Sequence, residues 1–383
     1  MLRFLTAGES HGQALTAIIE GLPAGIKIDP AKINLLLQRR QGGYGRGKRM
    51  EIEQDRVEFL AGLRGLVTLG SPLTMQIKNR DWENWCAIMD AEKAVLSPER
   101  VVTRPRPGHA DLAGSLKYRQ DDLRNILERA SARETAARVA VGAVAQEFLG
   151  YFGIRLQAQV VSIGNITGKM RDIIHGEELY QDPLYCPDHE ASKQMMEAID
   201  RARAQGDSLG GSFQVLAEGL PPGLGSHVQW DKRLDGILTQ AVMSIPAIKG
   251  VEIGLGFAAA SLPGSQVHDE IIYTDGKGYS RKTNRSGGLE GGMTNGEMLV
   301  VRAAMKPIPT LCKPLWSVDI HSKEPFFAAV ERSDVCAVPA AAIVGEAMVA
   351  WVLAAAVMEK FGGDHLEETL NNYQNYLRYL KTR

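Results

Sequence analysis

An 18-residue stretch near the start of the chain returns near its middle. Residues 8–25 read GESHGQALTAIIEGLPAG and residues 206–223 read GDSLGGSFQVLAEGLPPG; they align without gaps at an offset of 198, with 8 of 18 positions identical. Such a repeat constrains a fold more than any local signal, because each copy must suit the same supersecondary unit. Each copy is followed by an aspartate (Asp29, Asp231) and then a helix-like apolar pattern, at 33–37 and 234–238. Farther along each half lies an Ala-rich apolar stretch, at about 133–150 and 339–358, where small side chains let helices approach closely. The pattern predicts an α+β chain with pseudo-twofold organisation. Its related halves, about 1–150 and 200–360, belong to a single domain spanning 1–383. An irregular stretch at 165–190 joins them, and 362–383 is expected to be a polar C-terminal helix or tail.

The mismatches within the repeat are as useful as the matches. His11 in the first copy is Leu209 in the second. The shared scaffold therefore has no need of histidine there, which turns His11 toward chemistry. GESHG and GDSLG both match the G-x-S-x-G nucleophile elbow, so a serine hydrolase using Ser10 or Ser208 is the alternative function. That elbow needs a strand before the serine and a helix after it. The residues after each serine (Ile18 and Ile19; Phe213 and Val215) read as strand instead.

Charge is informative only when sorted by position. The 44 Lys+Arg against 45 Asp+Glu give a net charge of −1, which argues against bulk attraction to nucleic acid or to an anionic membrane. Yet Arg39–Arg49 holds five cations and no acid, on the glycine-rich run Gly42-Gly43-Tyr44-Gly45. From Arg100 to Arg138, nine cations face five acids. Arginine offers bidentate hydrogen bonds to phosphate or carboxylate, and glycines let the backbone wrap an anion. A solvated loop and an RNA contact are the other readings of Arg39–Arg49; the single aromatic, Tyr44, argues against RNA. Ser131, Arg133 and Glu134 read as a helix start with Ser131 near its N-cap, a ready anion site. His109, after Gly108, would share that electropositive setting. A second glycine-dense loop, 285–296, leads into a strand and then Lys306-Pro307-Ile308-Pro309-Thr310. Neither glycine loop matches a Rossmann or P-loop pattern. Arg332 and Asp334 pair a cation with a carboxylate just before the second Ala-rich helix.

Four scattered cysteines without a C-x-x-C pair fit neither a disulfide framework nor a zinc site, so no metal is expected. The first residues lack the basic flank and apolar core of a signal peptide. The stretch 335–358 contains Pro339 and Glu346 and reads as a helix buried in protein, not a membrane span. A soluble, cytoplasmic protein is expected. The residues alone point to an enzyme for a phosphorylated or polycarboxylated small molecule, and no further.

At these same residues the chain resembles the chorismate synthase family. The carrying stretches are GESHG (8–12), QGGYGRGKRM (41–50), RPGHADLAGSLKY (106–118), SARETAAR (131–138), MSIPAIKGVEIG (243–254), RSGGLEGGMTNG (285–296), KPIPT (306–310) and RSDVCAVPAA (332–341). The resemblance implies a β-α-β sandwich, a helical layer between two antiparallel sheets, assembled as a homotetramer. It implies anti-1,4-elimination of phosphate from 5-enolpyruvylshikimate 3-phosphate to give chorismate, the last common step of the shikimate pathway, with reduced FMN required but no net redox change. By the family's pattern His11 sits beside the departing phosphate, with Ser10 also at the substrate. His109 supports the reduced flavin, and Asp334 helps its N5 take the ring proton. Arg40, Arg46, Arg133 and Arg332 line the substrate or flavin pocket. The flavin contacts map onto Arg129, Ala130, Ser131, Pro246, Ala247, Gly291, Lys306, Pro307, Ile308, Pro309, Thr310 and Arg332. Arg40 and Arg46 also match positions assigned to NADP, which makes NADPH the candidate flavin reductant. Ala130 stands where many relatives have serine, which removes a side-chain contact and leaves a backbone one. No reductase-like segment is visible, so dependence on an external flavin reductase is expected.

Overall fold

The computed structural model describes residues 1–47, 52–93, 100–276, 278–313, 315–328 and 334–383. In the first half, β1 (Arg3–Ala7), β2 (Ala14–Glu20), α1 (Pro30–Gln41), β3 (Glu58–Ala61) and β4 (Leu73–Lys78) precede α2 (Asp111–Tyr118), α3 (Arg124–Ala130) and α4 (Thr135–Gly150). In the second, β5 (Arg155–Ile163), α5 (His189–Ala204), β6 (Gly211–Glu218), α6 (Leu234–Met243), β7 (Ile248–Ile253) and β8 (Leu299–Met305) precede α7 (Val338–Phe361) and α8 (Leu366–Leu380).

The two larger sheets are antiparallel. The first runs in the order β1-β2-β4-β3; the second runs β5-β6-β8-β7, with a two-residue strand, Ile166–Thr167, beyond β5. In chain order each sheet therefore places its fourth strand between its second and third. The repeat copies are equivalent at this level: a loop, then strand β2 or β6, then the Gly-Leu-Pro turn. A helix comes next in each case, α1 or α6. Along β2, Leu15, Ala17 and Ile19 alternate inward, the period-two pattern of a half-buried strand.

Helices pack on both of these sheets. α4 packs on β2 and β4, α7 packs on β5 and β6, and the two helices pack on each other. The closeness has a residue-level cause. An added Cβ on Gly142 would lie 2.4 Å from Ala347 Cα, and one on Gly345 would lie 2.4 Å from the Phe213 ring. α7 is long and apolar enough to cross a membrane by length and composition, but 83% of its most apolar window is buried inside the protein.

Two other features matter for the site. α1 starts cleanly, with the Asp29 side chain accepting from the Ala31 N–H at 2.9 Å and Pro30 in the first turn. It buries Ile33, Leu36, Leu37 and Arg40 on one face, so that arginine is delivered inward. The stretch 362–383 is a helix, α8, which returns to the body through Tyr373 Oη to the Phe152 carbonyl (3.2 Å) and Tyr376 Oη to the Pro222 carbonyl (2.9 Å).

Candidate active site

The segments singled out by the sequence meet at a cavity of about 500 Å³. The β1–β2 loop brings His11, the end of α1 and its following loop bring Arg40 and Arg46, and the 106–110 loop brings Arg106 and His109. The α3–α4 junction contributes Ala130, Ser131 and Arg133; the α6–β7 turn contributes Pro246 and Ala247. The end of β8 adds Lys306, Ile308, Pro309 and Thr310, and the approach to α7 adds Asp334. Both Ala-rich helices begin here, with Thr135 of α4 and Ala340, Ala341 and Val344 of α7 on the wall. Two helix N-termini add their partial positive charge to the cations.

Each histidine is backed by a buried carboxylate. His11 Nδ1 lies 2.9 and 3.0 Å from the Glu128 oxygens, and its backbone N–H donates to the same carboxylate at 2.8 Å. The ring stacks on Trp85 at 4.2 Å, and Nε2 is 3.8 Å from Asp81. Burial pushes the Glu128 carboxyl up. The hydrogen bonds and charge of His11, joined by Arg124, outweigh that and hold it below the usual carboxylate range. His109 Nδ1 lies 2.5 Å from Asp111, which also accepts from Arg106 Nε at 2.9 Å. Burial again works against ionisation of Asp111, and His109 and Arg106 again overcome it.

The arginines are aimed by acids that carry no motif of their own. Asp55 accepts from Arg133 Nη1 at 2.5 Å and from Arg40 Nη1 at 3.4 Å, bridging the two guanidiniums. Arg133 is further fixed by Asn79 (2.9 Å) and Glu53 (3.4 Å), and Arg40 by Thr135 (2.9 Å) and the Ala132 carbonyl (2.9 Å). Burial lowers Arg40 to about 10, still well above neutrality. Arg46 Nη1 and the Gly47 N–H donate to Asp334, each at 2.6 Å. Gly43, with φ of +96°, lets this loop lie against α7; a Cβ there would come within 2.8 Å of Pro339 Cβ. Ala247 adopts a left-handed φ of 68°, which costs roughly 1–3 kcal/mol outside glycine and tends to accompany ligand sites. Its carbonyl accepts from the Lys306 N–H at 2.9 Å, while Lys306 Nζ donates to the Gly108 carbonyl at 2.6 Å. Ser131 caps the turn Ala132–Glu134 that leads into α4, accepting from the Arg133 N–H at 3.3 Å.

Not every expected residue is on the wall. Ser10 is buried behind His11, its N–H donating to the Glu128 carbonyl at 3.0 Å. Arg129 points to β1 and its loop, donating to the Thr6 and Gly8 carbonyls at 3.0 and 3.1 Å. Pro307 is passed over between Lys306 and Ile308, and Gly291 sits in the hairpin Leu289–Thr294, away from the cavity. Arg332 lies outside the described residues, as do Lys48 and Arg49. Arg106 is the one charged wall residue, among those described, with no role assigned from the sequence; apolar wall residues such as Leu127 and Val344 have none either. The place of Arg106 in the Arg104–His109 run, beside a histidine already chosen, was signal enough.

The hydrolase alternative fails on geometry. GESHG lies in a turn between two strands, and GDSLG lies after a helix and before a strand, the reverse of an elbow. Ser208 is buried and donates to the Ile308 carbonyl at 2.7 Å.

A family model described as chorismate synthase matches residues 2–358. A chorismate synthase of Desulforamulus reducens is 61% identical over 385 residues, covering 99% of this chain and 100% of its own. One from Moorella thermoacetica is 62% identical over 384 residues, with 99% and 100% covered. A crystal structure of chorismate synthase, 46% identical, matches the fold with a TM-score of 0.80 over 100% of this chain and 99% of that one. The chain belongs to the chorismate synthase family.

Proposed function

We propose that this cavity is where the chain eliminates phosphate from 5-enolpyruvylshikimate 3-phosphate. The reaction class comes with membership of the family: a carbon–oxygen lyase that forms chorismate in the shikimate pathway. The observation that carries the location is the convergence of two carboxylate-backed histidines with Arg40, Arg46, Arg106, Arg133 and Lys306 on one cavity. A substrate with one phosphate and two carboxylates requires that density of cations.

The family requires reduced FMN, and the donor set fits it. Arginine, lysine, a threonine hydroxyl and exposed backbone at Ala130–Ser131 and Pro246–Ala247 suit a phosphate and a heteroaromatic ring, and Leu127, Ala340 and Val344 supply an apolar wall. The residues proposed to hold it from this wall are His109, Ala130, Ser131, Pro246, Ala247, Lys306, Ile308, Pro309 and Thr310. The family's pattern adds Arg129, Pro307 and Gly291, which lie off the wall, and Arg332, outside the described residues. When bound, reduced FMN would supply electron density to the elimination and be recovered without net redox change. The chain's own part is binding and proton management. Arg40, Arg46, Arg133 and Arg332 neutralise the anions. His11 as imidazolium stabilises or protonates the departing phosphate. Asp334, steadied by Arg46 and the Gly47 N–H, assists removal of the ring proton. Ser10 shapes the His11 loop at the substrate.

The proposal extends to NADPH at Arg40 and Arg46 as electron source or an external flavin reductase, to a homotetramer, and to a cytoplasmic location. It also treats 1–383 as one domain, a β-α-β sandwich with pseudo-twofold halves. The shared 1-2-4-3 strand connectivity and the common cavity at the start of both Ala-rich helices support that organisation.

The test is anaerobic phosphate release from the substrate. It is expected only with reduced FMN; an equal rate with flavin omitted or oxidised would overturn the proposal.

A further inference from the structure

We propose that Glu128 is a positioning residue for the elimination, holding His11 by Nδ1 so that Nε2 is the working nitrogen. This rests on the reading of His11 as the group beside the departing phosphate.

The geometry separates the two ring nitrogens. Nδ1 is within hydrogen-bond distance of both Glu128 oxygens, at 2.9 and 3.0 Å. Nε2 is 3.8 Å from Asp81, too far for a hydrogen bond, and has no hydrogen-bond partner among the described residues. Glu128 also takes the His11 backbone N–H at 2.8 Å on its carboxylate and the Ser10 N–H at 3.0 Å on its carbonyl. One residue of α3 thus grips both the main chain and the side chain of the β1–β2 loop. Trp85 fixes the remaining freedom by stacking on the imidazole, and its own indole N–H donates to Asp81 at 3.2 Å.

Other charges around the imidazole do not replace Glu128. On α3, Arg124 Nη1 lies 3.3 Å from Glu128 and its guanidinium lies over Trp85, with Arg100 over the same ring. Asp81 belongs to the Arg80–Asn84 turn. The cavity side presents Arg40, Arg46 and Arg133, all of which oppose a positive imidazole. Glu128 is the one carboxylate within hydrogen-bond distance of the ring among the described residues, and it is 1% exposed. Its charge is therefore felt through little solvent.

The proton balance is simple. His11 enters as imidazolium and gives its Nε2 proton to the phosphate oxygen as the C–O bond breaks. The C–O electron pair leaves on oxygen, the ring C–H pair enters the new double bond, and the ring proton, removed with the help of Asp334, passes to solvent. His11 is left as the neutral Nδ1–H tautomer, still donating to Glu128, and takes a proton back from solvent after product release. Glu128 touches no substrate atom.

Glu128→Gln keeps size and polarity but removes the charge. Turnover is expected to fall roughly 10–100-fold, the range found when the carboxylate behind a working histidine is lost at metal sites. KM stays at the parent value, and the basic limb of the pH–rate profile moves to lower pH. Glu128→Asp recovers part of the turnover and of the limb. If Glu128→Gln keeps the parent kcat and basic limb, or loses only KM, while His11→Ala is crippled, this inference fails and the site reading stands. If His11→Ala keeps its activity, the site reading fails first. Imidazole 15N NMR of the parent chain, with His11 assigned from the His11→Ala spectrum, covers the case of a variant that does not fold. A protonated Nδ1 is expected, and an unprotonated Nδ1 overturns the inference.

Discussion

Two histidines on one cavity, each with a buried carboxylate at Nδ1, are set up for different partners although their surroundings look alike. His11 has an aromatic face, Trp85, and Glu128 behind it; His109 has Arg106, whose Nη2 lies 3.2 Å from Nδ1, and Asp111. His11→Ala and His109→Ala should each lower turnover by about 10²–10⁴-fold, the usual scale for loss of a positioned proton donor or acceptor. Steady-state phosphate release under anaerobic conditions measures it, and near-parental turnover removes that residue from the mechanism. The cations and histidines were legible because they cluster in the sequence and because His11 breaks the repeat at Leu209. The acids were not. Asp55 meets Arg133 across 78 residues and Glu128 meets His11 across 117, and an isolated carboxylate carries no local sign of such a partner.

At the scale of elements, the contact between α4 and α7 places the two helix starts side by side at the cavity. Gly142 makes it possible. An added Cβ would lie 2.4 Å from the Cα, Cβ and carbonyl oxygen of Ala347, atoms that cannot step aside without moving a helix. Overpacking of this kind costs about 1–3 kcal/mol. Removing a mid-helix glycine returns only about 0.5–1 kcal/mol, so the clash wins. Gly142→Ala should therefore lower the urea midpoint. Gly150→Ala at the end of the same helix, with nothing within 4 Å of the new Cβ, should leave it level or raise it. Equal midpoints for the two variants would show that the helices have room to part. Alanine and glycine density announced this contact in the sequence. The role of the joining stretch was hidden. Gln157 Nε2 donates to the Ile174 carbonyl at 2.7 Å and Gln159 Nε2 to the Asp172 carbonyl at 3.1 Å, so that stretch is held against β5. Side chain-to-backbone bonds of this sort have no composition signature.

Within a molecule of net charge −1, the charges at the cavity are arranged in depth: Arg40, Arg46, Arg106, Arg133 and Lys306 line it together with Asp334, and Glu53, Asp55, Asp111 and Glu128 are buried behind them. This fixes how stability depends on pH. Asp111 and Glu128 are held below their ordinary values of 3.8 and 4.5 because, against the cost of burial, His109, Arg106 and His11 favour the ionised forms. A depressed carboxyl contributes stability that is complete above its unfolded-state value and is lost as pH falls below it toward the folded value. The window for these two therefore opens at about pH 4.5 and extends downward. Glu346 in α7 has the opposite sign. Burial raises it above 4.5 despite bonds from the Ala158 N–H at 2.8 Å and Gln146 at 3.0 Å. Its contribution is present below 4.5 and lost as pH rises through the folded value. The two windows do not overlap, so two variants separate them in urea unfolding between neutral pH and about pH 3. Asp111→Asn should start from a lower midpoint at neutral pH and lose less than the parent below pH 4. Glu346→Gln should differ from the parent only above 4.5, where it lacks the gain that the parent shows as the medium is acidified. A parent-like slope for Asp111→Asn in the acid window would mean that the layer behind the cavity cations does not sustain the fold, and that the carboxylates there serve the site alone.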